Sequence, residues 1–399
     1  MSNTGYFQYN MRTVVHSGYG SIIRIPALLQ GLGARRVLLI SDAGLKQVGV
    51  VDRVAACFDT WQSGDMPVLA GIYPEITPDA GSSCVNACAA YAREVAADAI
   101  LAVGGGSVLD ASKGVKYALQ HQLLDISEAL QSGIKMEAWP AAQHSGIPHL
   151  TVPTTAGTGA EGSAGAVILN DETGIKGGIF APFLDADIAV LDAQLTLGLP
   201  PGLTASTGMD ALTHALEGVA SPNANPFSDA HCMISAQLIE RFLPRAVENG
   251  QDVEARTQML NASCMAVNGY LAALNATPVH NCSHAFGAMY HVPHGDANGV
   301  FLPIVMETLP ELYIPHAERL AQALNMPASD KTGADLLEDV IAKVRDIQQR
   351  VNCATDLSRW NVTADNMEAI VTAVATDPVA VFFPIPPEKI QEITLKAIG

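Results

Sequence analysis

Residues 99–113 read AILAVGGGSVLDASK, and the order of residue types in this stretch decides the fold class. Ala99 to Val103 is a short, wholly apolar run, the pattern of a strand buried on both faces of a parallel sheet. It runs straight into Gly104, Gly105, Gly106 and Ser107. Glycines at the C-terminal end of a strand allow a tight turn, and a helix opening with Ser107 at its N-cap points unpaired N–H groups at whatever lies above that turn. This is the design of a phosphate cradle. The fragment does not satisfy G-x-G-x-x-G, so taken alone it marks a turn and does not establish a dinucleotide.

The same alternation extends to both sides. Upstream, Val37 to Ile40 is a second apolar run, ending at Ser41-Asp42. Asp42 is there either a ligand contact at a strand's C-terminal end or a plain helix N-cap. Helical patterns cover Ile22–Leu32 and Val50–Phe58, a strand is expected near 68–71, and an Ala-rich helix runs through Ala97. Downstream, a strand from His149 to Pro153 leads into Thr154, Thr155 and Thr158, whose hydroxyls either bind a ribose or phosphate or belong to an ordinary Thr/Gly loop. Strands are also expected at Ala166–Leu169 and Ile188–Leu191, with Lys176 between them. Alternating strands and helices imply α/β architecture, a parallel sheet covered on both faces.

After GLPPG (198–202) the texture changes. Helical periodicity covers 203–220, 228–247, 252–275, 278–290, 296–308, 311–324, 332–351, 363–375 and 387–398. The sequence therefore predicts an α/β dinucleotide-binding domain over 1–195 and an all-helical, metal-binding domain over 196–399.

Of 399 residues, 49% are hydrophobic and 16% charged, which argues for a well-buried globular protein. With 40 acidic against 22 basic residues, the formal net charge is −18. Nucleic acid and anionic membranes are disfavoured as partners, whereas an anionic cofactor remains compatible because local N–H groups can hold phosphate. The 7 cysteines contain no C-x-x-C and read as free thiols, mostly core filler, in a reducing compartment. No basic segment followed by an apolar core opens the chain, and no apolar run reaches the roughly 18 residues of a membrane span. A cytoplasmic protein is expected.

Chemistry concentrates at HNCSHAFGAMYHVPH (280–294), which holds His280, His284, His291 and His294. A helix places His280 and His284 on one face, and the upstream run GMDALTHALEG places Asp210 and His214 at the same i, i+4 spacing. Neutral imidazoles with a carboxylate suit Fe²⁺ or Zn²⁺, at which an alcohol or carbonyl oxygen would be polarised. Each histidine by itself is more often a hydrogen-bonded core residue; two paired sets and a further His after Pro293 favour ligands. Cys282 lies on another helix face and reads as core, and His291 as structural or pocket-lining. Metal candidates fall in the helical half and phosphate-type loops in the α/β half, which predicts a substrate in the cleft between them. Neither H-E-x-x-H nor G-x-S-x-G occurs, so nothing recommends zinc hydrolysis or covalent catalysis.

The segments LLISDAGL (38–45), AVGGGSVLDASK (102–113), VPTTAGTGAE (152–161), TGMDALTHALEG (207–218) and 280–299 resemble the iron-containing (group III) alcohol dehydrogenases, of the lactaldehyde reductase and 1,3-propanediol dehydrogenase kind. The resemblance runs almost the whole chain. It implies a Rossmann-like domain followed by an all-helical domain, the architecture shared with dehydroquinate synthase. It implies that Asp210, His214, His280 and His294 hold one divalent metal, Fe²⁺ or in some members Zn²⁺, with His284 beside nicotinamide and substrate. NAD(H) would occupy Gly104, Gly105, Gly106 and Ser107 with Thr154, Thr155 and Thr158, and Lys176 on the cofactor side. Asp42 matches an aspartate that contacts the adenine ribose and would repel a 2′-phosphate, favouring NAD over NADP.

The resemblance further implies interconversion of a small primary alcohol or diol and its aldehyde, and a homodimer or larger assembly. Three departures accompany it. His280-Asn281-Cys282-Ser283-His284 stands where H-G-M-A-H is common, Ala160 where Ser is usual, and the tail from Asp377 to Pro387 where an Asn-Pro-Arg ending is usual. The competing readings are a metal-dependent lyase or synthase, a glycerol dehydrogenase-like polyol enzyme, and a structural or filament protein with a vestigial site.

Overall fold

The computed structural model describes residues 6–60, 64–131, 133–137 and 143–399. They form two compact units: Met11–Thr155 with Gly159–Leu197, and Gly198–Gly399 with Ala156–Thr158 and the described part of Met1–Asn10.

In the first unit the strands are β1 (Val14–Ser17), β2 (Arg36–Ile40), β3 (Val68–Tyr73), β4 (Ala99–Gly104), β5 (Ile134–Met136), β6 (His149–Pro153), β7 (Gly165–Asn170), β8 (Ile175–Phe180) and β9 (Ile188–Leu191). Six of them pair in the order β1-β9-β6-β4-β2-β3, every pairing parallel. The middle strands β4, β6 and β9 are buried along their whole length, while the edge strands β1 and β3 are only partly buried. Side chains alternate in direction along a strand, so each face takes every second residue. Leu38, Ile40 and Ile100 face one core, packed with Val85 and Val108; Val37, Leu39 and Leu101 face the other, packed with Leu29 and Val54. This two-sided burial is why the central strands read as unbroken apolar runs. It is also why β1 escaped the sequence reading: Val14–Ser17 is half exposed and carries His16 and Ser17.

The strand predicted at Ala166–Leu169 does not join this sheet. As β7 it pairs antiparallel with β8 in a separate three-stranded sheet, β5-β8-β7. A buried polar network fixes it against the Gly106–Gln120 helix. Lys113, fully buried, donates from Nζ to Asp110 Oδ1 (3.2 Å), Ser163 Oγ (2.9 Å) and the Gly165 carbonyl (2.5 Å), while Asp110 Oδ2 accepts from the Val167 N–H. An ammonium withdrawn from water is tolerated when its three donors are all used.

The second unit is helical, and helix ends follow local chemistry. Pro201, Pro226 and Pro278 each occupy the first position of a helix, where a missing N–H is no loss. The predicted helix at 311–324 breaks into Pro310–Tyr313, a 3₁₀ turn at Ile314–His316 and Ala317–Ala323, because Pro315 cannot donate to the preceding turn. The segment expected from 296 begins earlier, at His294. Among the described residues no helix is long and apolar enough to cross a membrane.

Close helix packing depends on small residues around Cys232, on the Pro226–Glu248 helix. Its buried sulfur nests between Gly218 of the Pro201–Ala220 helix and Gly269 of the Val253–Ala272 helix. A Cβ added to Gly218 would collide with that sulfur, and one on Gly269 would sit 2.5 Å from it. Gly218→Ala is therefore expected to destabilise the fold by about 1–3 kcal/mol through overpacking. In a double-mutant cycle Cys232→Ala restores part of that loss, read from urea midpoints by far-ultraviolet circular dichroism.

Candidate metal centre

Asp210 and His214 lie one turn apart on the Pro201–Ala220 helix, both buried. His280 and His284 repeat that spacing on Pro278–Tyr290. The second helix ends at His291, in the left-handed region (φ 55°), and Pro293 starts the next helix, which opens with His294. This sharp break, through a residue type that tolerates the left-handed conformation, returns the chain so that His294 faces His280.

The donor atoms of Asp210, His280 and His294 lie within 4.8 Å of one another. From Asp210 Oδ1 the distances are 3.5 Å to His294 Nε2, 3.8 Å to His280 Nε2 and 3.9 Å to His214 Nδ1. His214 thus stands beside the converging three, its ring 4.4 Å from that of His280. The spacing is too long for hydrogen bonds but close to the ~3.4 Å between ligands on a tetrahedral ion bound at about 2.1 Å. His280 Nε2 and His214 Nδ1 are buried and have no hydrogen-bond partner, an arrangement that protein groups alone leave costly. A borderline cation fits this set of nitrogens and one carboxylate oxygen.

Two residues that the sequence reading passed over hold the cluster in place. Glu217 is buried; one carboxylate oxygen accepts from His280 Nδ1 (2.5 Å) and the other from the Val279 N–H (2.7 Å). It therefore fixes the ring and also satisfies an otherwise unpaired N–H in the first turn of that helix. Asn298 donates from Nδ2 to Asp210 Oδ1 (2.7 Å), and its own Oδ1 accepts from Ser283 (2.6 Å). Both carried a periodicity signal: Glu217 is seven residues after Asp210 on one helix face, and Asn298 four after His294.

Charge follows from this packing. Burial works against ionising Asp210, but the nearby His214, His294 and His280 outweigh it and hold the carboxyl well below the usual range. Burial lowers the His214 pKa to about 4, leaving a neutral imidazole. Burial opposes the charged form of His280 too, yet Glu217 and Asp210 on its two nitrogens carry it up to about 9.

The chain belongs to the iron-containing alcohol dehydrogenase family. The family's "Iron-containing alcohol dehydrogenase" profile matches residues 12–193, and its "Fe-containing alcohol dehydrogenase family, C-terminal" profile matches 204–398. Long-chain-alcohol dehydrogenase 1 of Geobacillus thermodenitrificans is 35% identical over 292 residues, 73% of this chain and 70% of that protein. The probable alcohol dehydrogenase EutG of Escherichia coli is 33% identical over 341 residues, 84% of this chain and 82% of that one. The solved structure of a 1,3-propanediol oxidoreductase superposes with a TM-score of 0.87 at 30% identity, covering 99% of this chain and 100% of its own. The protein is thus an alcohol dehydrogenase enzyme, with the Rossmann-like and helical architecture of its family, and the lyase and filament-protein readings fall away.

In this iron-containing alcohol dehydrogenase the cofactor-side candidates sit at strand ends of the α/β unit. Strand β3 lies on one side of β2 and β4 on the other, so the order reverses there, and a parallel sheet binds ligands outside such a reversal. Asp42 follows β2 and is an N-cap, its side chain accepting from the Leu45 N–H (2.9 Å). Gly104 ends β4 opposite Pro153 of β6, and its carbonyl accepts from the Thr154 N–H (3.0 Å), which brings Thr154 and Thr155 beside the glycine turn. The helix N-cap is Gly105 and not Ser107, because the helix starts at Gly106 as soon as the turn is made. Ser107 Oγ instead accepts from the Asp79 N–H (3.1 Å), and Asp79 pairs with Lys176 (2.7 Å). Thr158 belongs to the helical unit.

None of the seven cysteines is in a disulfide, and Cys282 is buried core. A cavity of about 830 Å³ lined by Glu307, Arg345, Cys353, Arg359 and Lys396 contains none of the His–Asp cluster. Glu217→Gln keeps the shape but removes the charge behind His280. It should weaken divalent-metal affinity about 10–100-fold with an unchanged circular dichroism spectrum, measured by competition with a chelator.

Proposed function

We propose that this alcohol dehydrogenase interconverts a small primary alcohol or diol and its aldehyde with NAD(H) and one divalent metal, Fe²⁺ or Zn²⁺. The observation that carries the reading is the convergence of Asp210, His280 and His294 within 4.8 Å, with His280 Nε2 buried and unpartnered. Asp210, His214, His280 and His294 are the proposed ligands. A cation held there supplies a Lewis acid for the substrate oxygen, and NAD supplies the hydride acceptor or donor.

The chain's own residues do the rest. Asp210 contributes the anionic ligand, and Glu217 and Asn298 hold His280 and Asp210 in place. His284, with its ring 5.3 Å from that of His294, is proposed to relay the alcohol proton or to position the substrate. In the α/β unit, the glycine turn at Gly104–Ser107 and the threonine loop supply N–H and hydroxyl donors for the NAD phosphates and ribose. Asp42 and Lys176 complete that side, and the Asp42 carboxylate disfavours NADP. A cytoplasmic homodimer or larger assembly, tested by light scattering on eluting protein, completes the proposal.

The decisive test follows NADH absorbance with a panel of short alcohols and aldehydes on anaerobically purified protein, before and after chelation and reloading with Fe²⁺ or Zn²⁺. Turnover that disappears with the chelator and returns with the metal is expected; activity indifferent to metal would overturn the reading. His280→Ala should drop metal content from about one ion per chain to near zero while NAD binding by calorimetry persists.

A further inference from the structure

The C-terminal segment contributes a carboxylate to the histidine cluster. Asp377 follows the Met367–Thr376 helix and opens a 3₁₀ turn at Pro378–Val381. Its Oδ1 accepts from the Val379 N–H at 3.0 Å, so the carboxylate is fixed to its own backbone. The same oxygen lies 3.4 Å from His284 Nδ1, with the two side chains 11% and 22% exposed. The His284 ring is stacked on that of His294 at 23° and 5.3 Å, and lies 6.4 Å from that of His280. One edge of this imidazole is therefore engaged by the tail segment while its face lies along a ligand candidate.

We propose that Asp377 is the positioning residue for His284: its carboxylate holds the proton on Nδ1, so the ring presents Nε2 as its acid–base nitrogen. A carboxylate only accepts, so the nitrogen it contacts is the one that carries hydrogen. In a neutral imidazole the other nitrogen is then an acceptor, ready to take a proton from an alcohol or to return one to a carbonyl. A contact of 3.4 Å is long for a hydrogen bond, as catalytic contacts are before substrate binds. The arrangement repeats in a different place what Glu217 does for His280: an acidic group behind the ring decides which nitrogen faces forward. The inference rests on the dehydrogenase reading for what His284 does, but the tautomer assignment stands on geometry alone.

The experiment records long-range ¹H–¹⁵N correlation spectra of the full chain with ¹⁵N-labelled histidine, before and after Zn²⁺ is added, with the His284 signals identified by their loss in His284→Ala. The parent protein should show His284 protonated on Nδ1. Asp377→Ala should leave a mixture of tautomers, whereas Asp377→Asn, whose Oδ1 still accepts from the Val379 N–H and so keeps facing His284, should retain the proton on Nδ1. Steady-state kinetics on Asp377→Ala should show kcat lowered about 10–100-fold with KM and metal content little changed, and Asp377→Asn should recover most of that loss. No further loss is expected when Asp377→Ala is added to His284→Ala. An unaltered His284 tautomer in Asp377→Ala overturns the proposal, as does an independent loss in the double variant. Should the parent turn over no alcohol, the dehydrogenase reading fails while the spectra still decide the role of Asp377.

Discussion

Two carboxylates buried on one face of one helix set the terms for the helical unit. Asp210 and Glu217 are each less than 5% exposed, and an unpaired buried charge is among the most costly features a fold can carry. Apart from His214 on the same helix, these partners come from other helices: His280 and the Val279 N–H for Glu217, and Asn298, His280 and His294 for Asp210. Satisfying these two groups therefore fixes where Pro278–Tyr290 and His294–Thr308 sit against Pro201–Ala220. The orphaned nitrogens of His214 and His280 are the part of this network that the protein leaves open, and that is where a cation fits.

The α/β unit solves a related problem by other means. Its central strands are buried on both faces, so its polar work moves to strand ends and to the helix that follows β4. Lys113 and Lys116 are both buried there; Lys116 Nζ has the Asp185 carbonyl at 2.9 Å, and burial brings its pKa down to about 8. His149, whose Nε2 shares a hydrogen bond with Ser112, is kept neutral by the same withdrawal from water. These groups brace the helix behind the glycine turn.

Positioning by a polar group behind the presented atom recurs through the cluster. Asn298 and Ser283 stand behind Asp210, Glu217 stands behind His280, and Asp377 lies beside His284. Groups that must present one atom in one direction are held from the opposite side, where the supporting contact does not compete with a ligand. Pro293 and the left-handed His291 play the same part at the level of backbone, turning the chain so that His294 meets residues from two other helices.

The sequence by itself determined the alternating α/β half, the helical half, and the local pairs Asp210/His214 and His280/His284. Apolar runs and i, i+4 spacings are written directly into neighbouring residues, because they report burial and one turn of one helix. It also carried the family, through motifs spread over the whole chain. Only the tertiary structure decided that β7 leaves the main sheet for an antiparallel partner, that half-exposed β1 joins it, and that Gly105 takes the cap expected of Ser107. Only the fold, likewise, showed Glu217, Asn298 and Asp377 at the cluster. Their roles depend on contacts between residues as far as 93 positions apart, and such distances are set by how helices pack, which no local spacing records.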